Sequence, residues 1–570
     1  MEETSASAYS SANKTARLPV ATAQENDAPN FERGFRFWAV IAGLAVTTLL
    51  AALEHTVVTT SAPAIVSDLQ MGETYIWITN SFFICSTAFQ PLLGQLCNVF
   101  GRRWVFITIV AVFTLGSGIC GGATQGAMLI AGRAVQGVGS GGIVLTVNII
   151  VSDLIPLRER GKYMAMILGV FGIGTSLGPF IGGAIVEATT WRWVFWINLP
   201  IGGVSLVLMW LFLHVQYDKE MSFTEKIQRI DLVGTSILLA GTVAILYSLT
   251  YAGTIEPWAS WRTLVPLLLG FFGLALFAGY EMSGLALEPV MPPRLFQNRT
   301  SVVVILNTFI AAMAFYWFLY FLPIYFQAVL LYSPRQTGVS LLPQSLAGIP
   351  GAAIAAVCLS KWGKFKIIHL AGFSIATLGL GLFSYQDEWT HVAEWVIFQA
   401  ICALGVGMVL DTLLPAFQAP TAEADQAAAT STWAFVRSFG CIWGVAIPAA
   451  VFNNFVDLNI NMVSDSAVHG QLVGGGAYQH ASAAFVRSFP PETGNEIRAV
   501  YRISLQRVFQ VGVAFSGLAV LLALIERNIP LRKALETQYG LEKDPKDATE
   551  ENAKPPTAEM SAGLGGVNNV

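Results

Sequence analysis

Glu54 and His55 stand side by side near the end of an apolar run extending from about Trp38 to Val57. A carboxylate held in or at the rim of hydrocarbon is costly, and chains keep one there for proton or ligand work. Such a group can load and release a proton as its surroundings change. His55 sits about 100° around a helix from Glu54, a neighbour rather than a stacked i,i+4 partner. Three more charges interrupt apolar runs: Arg133, Asp411 and Arg437. Arg133 opens the glycine-rich stretch Gly132 to Gly142. That context favours a close-packed helix turning the arginine towards a cavity or a carboxylate, although a long arginine can also snorkel to the interface. Asp411 and Arg437 lie near polar loops and complete the set of proton-coupling candidates.

Other chemistries find no foothold. The six cysteines (85, 97, 120, 358, 402 and 441) are scattered through apolar runs, without a CxxC pair. They read as small hydrophobes rather than bridges or ligands. The six histidines are equally dispersed. With no metal-ligand spacing, nucleophile elbow or nucleotide loop, the chain is expected to be no enzyme and no ATP-driven pump. It should hold no metal and no cofactor.

The elements that must position these charges are membrane helices. Of 570 residues, 54% are hydrophobic and 12% charged, against about 25% charged in soluble domains. Fourteen apolar runs long enough to span a bilayer follow one another between about residues 38 and 526. They suggest an all-α membrane protein in a 6+2+6 arrangement. Residues 37–213 would form one six-helix bundle, 214–300 a linker with two additional spans, and 301–526 a second bundle interrupted by a long loop at 453–505. Residues 1–36 and 527–570 read as disordered cytosolic tails. With both termini inside, eighteen Lys and Arg fall in the short cytosolic flanks and loops and seven outside, as basic loops favour the cytosol.

The polar turn Asn98-Val99-Phe100-Gly101-Arg102-Arg103 follows the second run, and Gly94 lies one turn before it. Gly363-Lys364-Phe365-Lys366 after the tenth run echoes it, as repeated halves rocking around a central site would require. In the fifth run Gly174, Gly178 and Gly182 are spaced by four and form one smooth ridge, with Gly183 beside it. Pro179 removes a donor there and should kink the helix. Phe315, Tyr316, Tyr320, Tyr325 and Gln327 suggest either the lining of an amphipathic cavity or an interface belt.

These motifs carry a resemblance. The segment Gly94 to Arg103 resembles the loop-2/3 signature of the major facilitator superfamily, and Gly132-Arg133 to Gly137 its helix-4 motif. Gly174 to Gly183, especially Gly178-Pro179, is similar to the helix-5 antiporter motif. Leu53-Glu54-His55-Thr56 to Pro63 resembles the helix-1 motif of fourteen-span drug:proton antiporters. Tyr320 to Gln327 with Ser333-Pro334 looks like the start of the second half in fungal members. The resemblance implies rocker-switch export of amphipathic small molecules, such as a fungal toxin, secondary metabolite or drug, driven by proton entry. Glu54 would be the proton-linked acid and Arg133 its polar partner. Gly101, Arg102 and Arg103 would belong to a conformational latch. Asn98 stands where the family commonly has Asp, which removes one carboxylate from that latch, and Glu54 stands where Asp is usual. The expected partners are an amphipathic small molecule, protons and the lipid bilayer, without nucleic acid. The chain is expected to act as a monomer in the plasma membrane, with a vacuolar or vesicle membrane as the other setting. Uptake or siderophore exchange on the same fold stays open, as does a receptor or regulator that does not transport.

Overall fold

The computed structural model describes residues 34–71, 77–156, 159–214, 222–252, 256–473 and 475–531. The tail expectations for 1–33 and 532–570 lie outside these residues. The first part of the chain forms α1 (Phe35–Asp68), α2 (Trp77–Ala88), α3 (Gln90–Phe100), α4 (Arg102–Gly121), α5 (Gly126–Leu154) and α6 (Arg160–Ala188). Next come α7 (Trp193–Trp196), α8 (Asn198–Phe212), α9 (Phe223–Gln228), α10 (Leu232–Tyr251) and α11 (Trp261–Met282). The second part holds α12 (Arg299–Ile324), α13 (Pro334–Ser340), α14 (Leu342–Trp362), α15 (Phe365–Phe383), α16 (Val392–Leu410) and α17 (Leu413–Gln418). It closes with α18 (Gln426–Asn459), α19 (Ser466–Leu472), α20 (Gly476–Gln479), α21 (Ala483–Arg487) and α22 (Pro491–Ile525).

Among the described residues thirteen helical stretches are long and apolar enough to cross a membrane, one fewer than the fourteen expected. The missing one is the second run. It is broken at Phe89 into α2 and α3, with Pro91 in the first turn of α3, and neither piece spans a bilayer alone. A second correction concerns 453–505. The expected loop is largely helical, because α18 continues to Asn459, α22 begins at Pro491, and three short helices lie between them. Helix α1 likewise runs on to Asp68, so Glu54 sits in mid-helix rather than at its end. There the indole of Trp191 and the guanidinium of Arg192 donate to Asp68 Oδ2 at 2.9 and 3.0 Å, and these bonds hold its carboxyl below the usual range.

The basic turns do echo one another. Gly101 and Gly363 both take positive φ, 82° and 65°, so the chain reverses where a side chain would be strained. Arg103 then donates to the carbonyl of Trp210 near the end of α8, and Lys366 to that of Leu524 near the end of α22, both at 2.7 Å. The additional helices are tied to the second run at both ends. Trp77 donates to Tyr251 at 2.8 Å, while Gln95 accepts from the Asp231 amide at 3.1 Å and donates to the Glu288 carbonyl at 2.7 Å.

Glycines bring the helices around the charged residues to backbone distance. A Cβ on Gly137 or Gly141 of α5 would strike the carbonyls of Phe82 and Ser86 in α2. On α6, a Cβ at Gly174 would press on Ala52, and one at Gly178 on Thr56 and, at 3.0 Å, the Val57 amide of α1. The ridge therefore seats on the turns flanking Glu54. Gly182 is buried, Gly183 borders open space, and the side chain of Pro179 lies outside the described set. Overpacking of this kind costs about 1–3 kcal/mol. Gly178→Ala should thus lower the thermal midpoint of the purified protein, whereas Gly183→Ala should leave it near wild type. Equal midpoints would mean that the ridge does not bear the α1 contact.

Candidate functional site

Glu54 and Arg133 meet. Glu54 is 0% exposed and Arg133 2%, and the guanidinium Nη1 is ion-paired to Glu54 Oε1. Asn198, the first residue of α8, donates to the other carboxylate oxygen at 2.6 Å. Arg133 has further acceptors: its Nε donates to the Ile78 carbonyl at 2.8 Å and its Nη1 to Gln136 Oε1 at 2.7 Å. Gln136 in turn donates to Ser117 at 2.7 Å. The guanidinium carbon lies 4.2 Å from the centre of the Phe82 ring, a cation–π contact that replaces part of its lost hydration. Arg133 does not snorkel; α1, α2, α4, α5 and α8 each supply a group to one sealed polar cluster.

His55, the next residue, faces elsewhere. It is half-buried among Phe82, Phe83 and Phe171, and its Nε2 lies 3.4 Å from the Ser140 hydroxyl. Asp411 and Arg437 do not join the Glu54 cluster. Asp411 caps the end of α16, with its Oδ2 buried and unpartnered. Arg437 is half-buried in α18 and lies within electrostatic range of both Asp411 and His55. Of the aromatic candidates, Tyr316 and Tyr320 stack with centroids 5.7 Å apart, and Phe315 packs edge-on to Tyr316. Gln327 lies half-buried in a π turn, Tyr325–Val329. Tyr325 itself is not a cavity residue: it is 2% exposed and its hydroxyl donates to the Asp387 carbonyl at 2.8 Å.

At the end that carries the basic turns, the two parts of the chain are joined. Arg102 is buried, pairing with Asp153 at 2.8 Å and donating to the Cys97 carbonyl at 2.9 Å. Asn98 contributes nothing to that pair; its Oδ1 has no partner. Across the seam, a Cβ on Gly94 would strike Ser431, and Gln90 donates to Ser438 at 3.1 Å. Arg160, 1% exposed, donates to Gln418 at 2.6 Å and Gln426 at 3.2 Å, while also binding the Ile155 and Ser152 carbonyls of its own side. Arg294 forks onto Asp425 with two 2.6 Å bonds. In the sequence Arg160 is one loop charge among several, and little marks Asn198, Gln136, Gln90 or Gln418 as site residues. Their one signal was an amide inside an otherwise apolar run, and Gln136 lies one helical turn after Arg133.

Breaking a buried ion pair from one side costs about 3–5 kcal/mol, because the other charge is left unpaired. Glu54→Gln should therefore lower thermal stability strongly, and adding Arg133→Met should recover most of the loss. A wild-type midpoint for Glu54→Gln alone would exclude a formed ion pair. At the seam, a short thiol cross-linker should join Gln90→Cys to Ser438→Cys. That yield should fall several-fold when Arg160→Ala removes the Gln418 and Gln426 bonds; an unchanged yield would assign the closure to other contacts.

Residues 44–445 match the family model described as Major Facilitator Superfamily. The MFS-type transporter TwmF of Talaromyces wortmannii is 56% identical over 512 residues, covering 90% of this chain and 93% of that one. The MFS efflux transporter aclA of Aspergillus oryzae is 47% identical over 510 residues, covering 90% and 92%. Among solved structures, the human organic anion transporter MFSD10 aligns at a TM-score of 0.53 and 15% identity over 85% of this chain and 99% of its own. The proton:xylose symporter XylE aligns at 0.51 and 14%, over 81% and 98%. The two solved structures share the fold, and the fungal relatives and the family model share the sequence: the chain belongs to the major facilitator superfamily, as a multi-pass membrane transporter of small molecules.

Proposed function

We propose that this protein is a proton-driven antiporter that exports amphipathic small organic molecules, of the fungal secondary-metabolite, toxin or drug class. The carrying observation is the Glu54–Arg133 pair, a carboxylate with no exposed surface joined to a cation whose remaining donors reach neighbouring helices. A proton arriving on Glu54 dissolves this pair, because a neutral carboxyl no longer compensates a buried guanidinium. Arg133 must then redistribute its bonds among Gln136 and the Ile78 carbonyl, and the helices that supply them shift. The protonated and deprotonated forms thus favour different packings of α1, α2 and α5, which is what coupling requires. Export is supported by the fungal relative named as an efflux transporter.

The rocking units are residues 37–213 and 301–526, with Asp231, Tyr251 and Glu288 of the linker bonded to α2 and α3. Basic loops on the cytosolic side put both termini in the cytosol and make the closed seam cytosolic, so the state described is shut towards the cytosol. The proton gradient is the sole energy source, no cofactor takes part, the unit is a monomer, and the membrane is the plasma membrane.

In inside-out vesicles with an acidic lumen, a panel of fluorescent amphipathic compounds should include some that accumulate only while the gradient lasts. Glu54→Gln protein, matched for folded abundance, should lose that dependence along with substrate-linked proton release. Accumulation that ignores the gradient would overturn antiport, and coupling that survives Glu54→Gln would remove Glu54 from it.

A further inference from the structure

Arg437 is the opposite of Arg133. Both are arginines inside spanning helices, but Arg133 is bonded to Glu54, Gln136 and Ile78, whereas Arg437 makes no hydrogen bond or ion pair with any described residue. Its guanidinium carbon lies 5.4 Å from the centre of the Trp433 ring. The titratable groups within electrostatic reach of it come from several elements: His55 of α1, Tyr316 of α12, Asp411 at the end of α16, and Cys441 of its own helix. Asp411 is near without being bonded, and its Oδ2 is itself unpartnered. A guanidinium cannot shed its charge to escape a poor environment. A half-buried guanidinium with no bond to a described residue can take an anionic oxygen without breaking a bond to do so.

The surroundings describe that ligand. The next residue, Ser438, bonds Gln90 across the seam, so Arg437 lies where the two parts of the chain face one another. On the α12 side, Tyr316 and Tyr320 stack at 22° between planes. On the α1 side, His55 is flanked by Phe83 and Phe171. Tyr316 and His55, each within electrostatic reach of Arg437, belong to these two aromatic groups, and a planar five-donor cation near aromatic faces suits a flat unsaturated body carrying an oxyanion. We propose that Arg437 anchors the export substrate through an anionic oxygen pair, a carboxylate or a conjugated enolate, on an aromatic or polyene body. Asp411 places a negative charge near the same guanidinium without bonding it, and that charge opposes a bound oxyanion. This rests on the transport reading and adds to it the charge class of the cargo. It also gives Arg437 a part in holding cargo rather than in proton coupling.

The test uses purified full-length protein without any gradient and three probes of one shape: 1-pyrenebutyrate, its primary amide, and 1-pyrenebutylamine. Binding is read by fluorescence at neutral pH, with size exclusion and thermal midpoint confirming the fold of each variant. The carboxylate should bind roughly ten-fold or more tighter than the amide, and the ammonium weakest, as expected for charge-assisted bonding to a guanidinium. Arg437→Gln should abolish the preference while leaving the amide's affinity nearly unchanged, and Arg437→Lys should retain part of it. Asp411→Asn should strengthen carboxylate binding by removing a nearby negative charge. Equal binding of carboxylate and amide to wild type, a preference that survives Arg437→Gln, or no binding of any probe to folded wild type would each overturn the anchor. Probe preference without gradient-driven flux would instead overturn the export reading alone.

Discussion

Two opposite charges that can be neither exposed nor separated govern the first half of this structure. In a low-dielectric interior a carboxylate or a guanidinium alone is untenable, and even the pair is tolerable only when its remaining lone pairs and protons are used. Glu54 uses its second oxygen on Asn198, and Arg133 uses Ile78 and Gln136. Those partners sit on different helices, so the charges dictate how closely the helices must approach. The Ile78 carbonyl can accept from Arg133 only because α5 lies at backbone distance from α2, and Gly137 and Gly141 permit that approach. Gly174 and Gly178 do the same for α6 against α1. Small residues along these helices and a buried ion pair are therefore one design seen twice, once as packing and once as electrostatics.

The second half repeats the frame without repeating this centre. Arg103 and Lys366 make matching bonds to the ends of α8 and α22, so the repeated basic turns survive at the level of geometry. Arg102, however, is buried against Asp153, whereas Lys364 takes the cap position of α15 instead. The principal buried pair of the second half lies at that same end: His369 and Glu526 at 2.8 Å, with Asn307 donating to Glu526 at 3.0 Å. Charge is thus bonded deep in the first half and at the margin of the second, while Arg437 stays unbonded where the halves face each other.

Much of this was legible because hydrocarbon is an unforgiving solvent. Apolar runs of sufficient length, the basic turns between them, and charges out of place in them each leave a mark in composition. Glu54 and Arg133 stood out for that reason, and the structure pairs them. What stayed hidden depends on direction rather than identity. Tyr325 looks no different in sequence from Tyr320, yet the π turn that begins at Tyr325 folds it into the interior towards Asp387. The break at Phe89 was obscured because the run reads as continuous, although Pro91 marks it in hindsight. Residues 453–505 looked like a loop because their helices carry polar faces, and hydropathy measures only fitness for lipid. Neutral partners such as Asn198 and Gln418 left the faintest trace, since a lone amide in an apolar run does not say which helix it will meet.

The nature of the seam bears on how the molecule moves. Gln90 to Ser438, and Arg160 to Gln418 and Gln426, are mostly bonds between side chains that water can satisfy equally well. Each is worth about 0.5–1.5 kcal/mol net, somewhat more where a charge takes part. The Arg294–Asp425 fork is partly exposed, with the arginine side chain 58% accessible, and an ion pair of that kind adds about 1 kcal/mol or less. Arg160 also keeps its Ile155 and Ser152 carbonyls when the seam parts, so opening does not strand its charge. The Glu54 cluster lies wholly on one side of that seam, and separating its members would leave a buried charge uncompensated. The polar bonds of the seam therefore hold it by only about a few kcal/mol, and a rigid-body opening along it carries the charged centre along intact. Protonating Glu54 acts inside one body, where it alters helix packing, and the seam is the place weak enough to register the change.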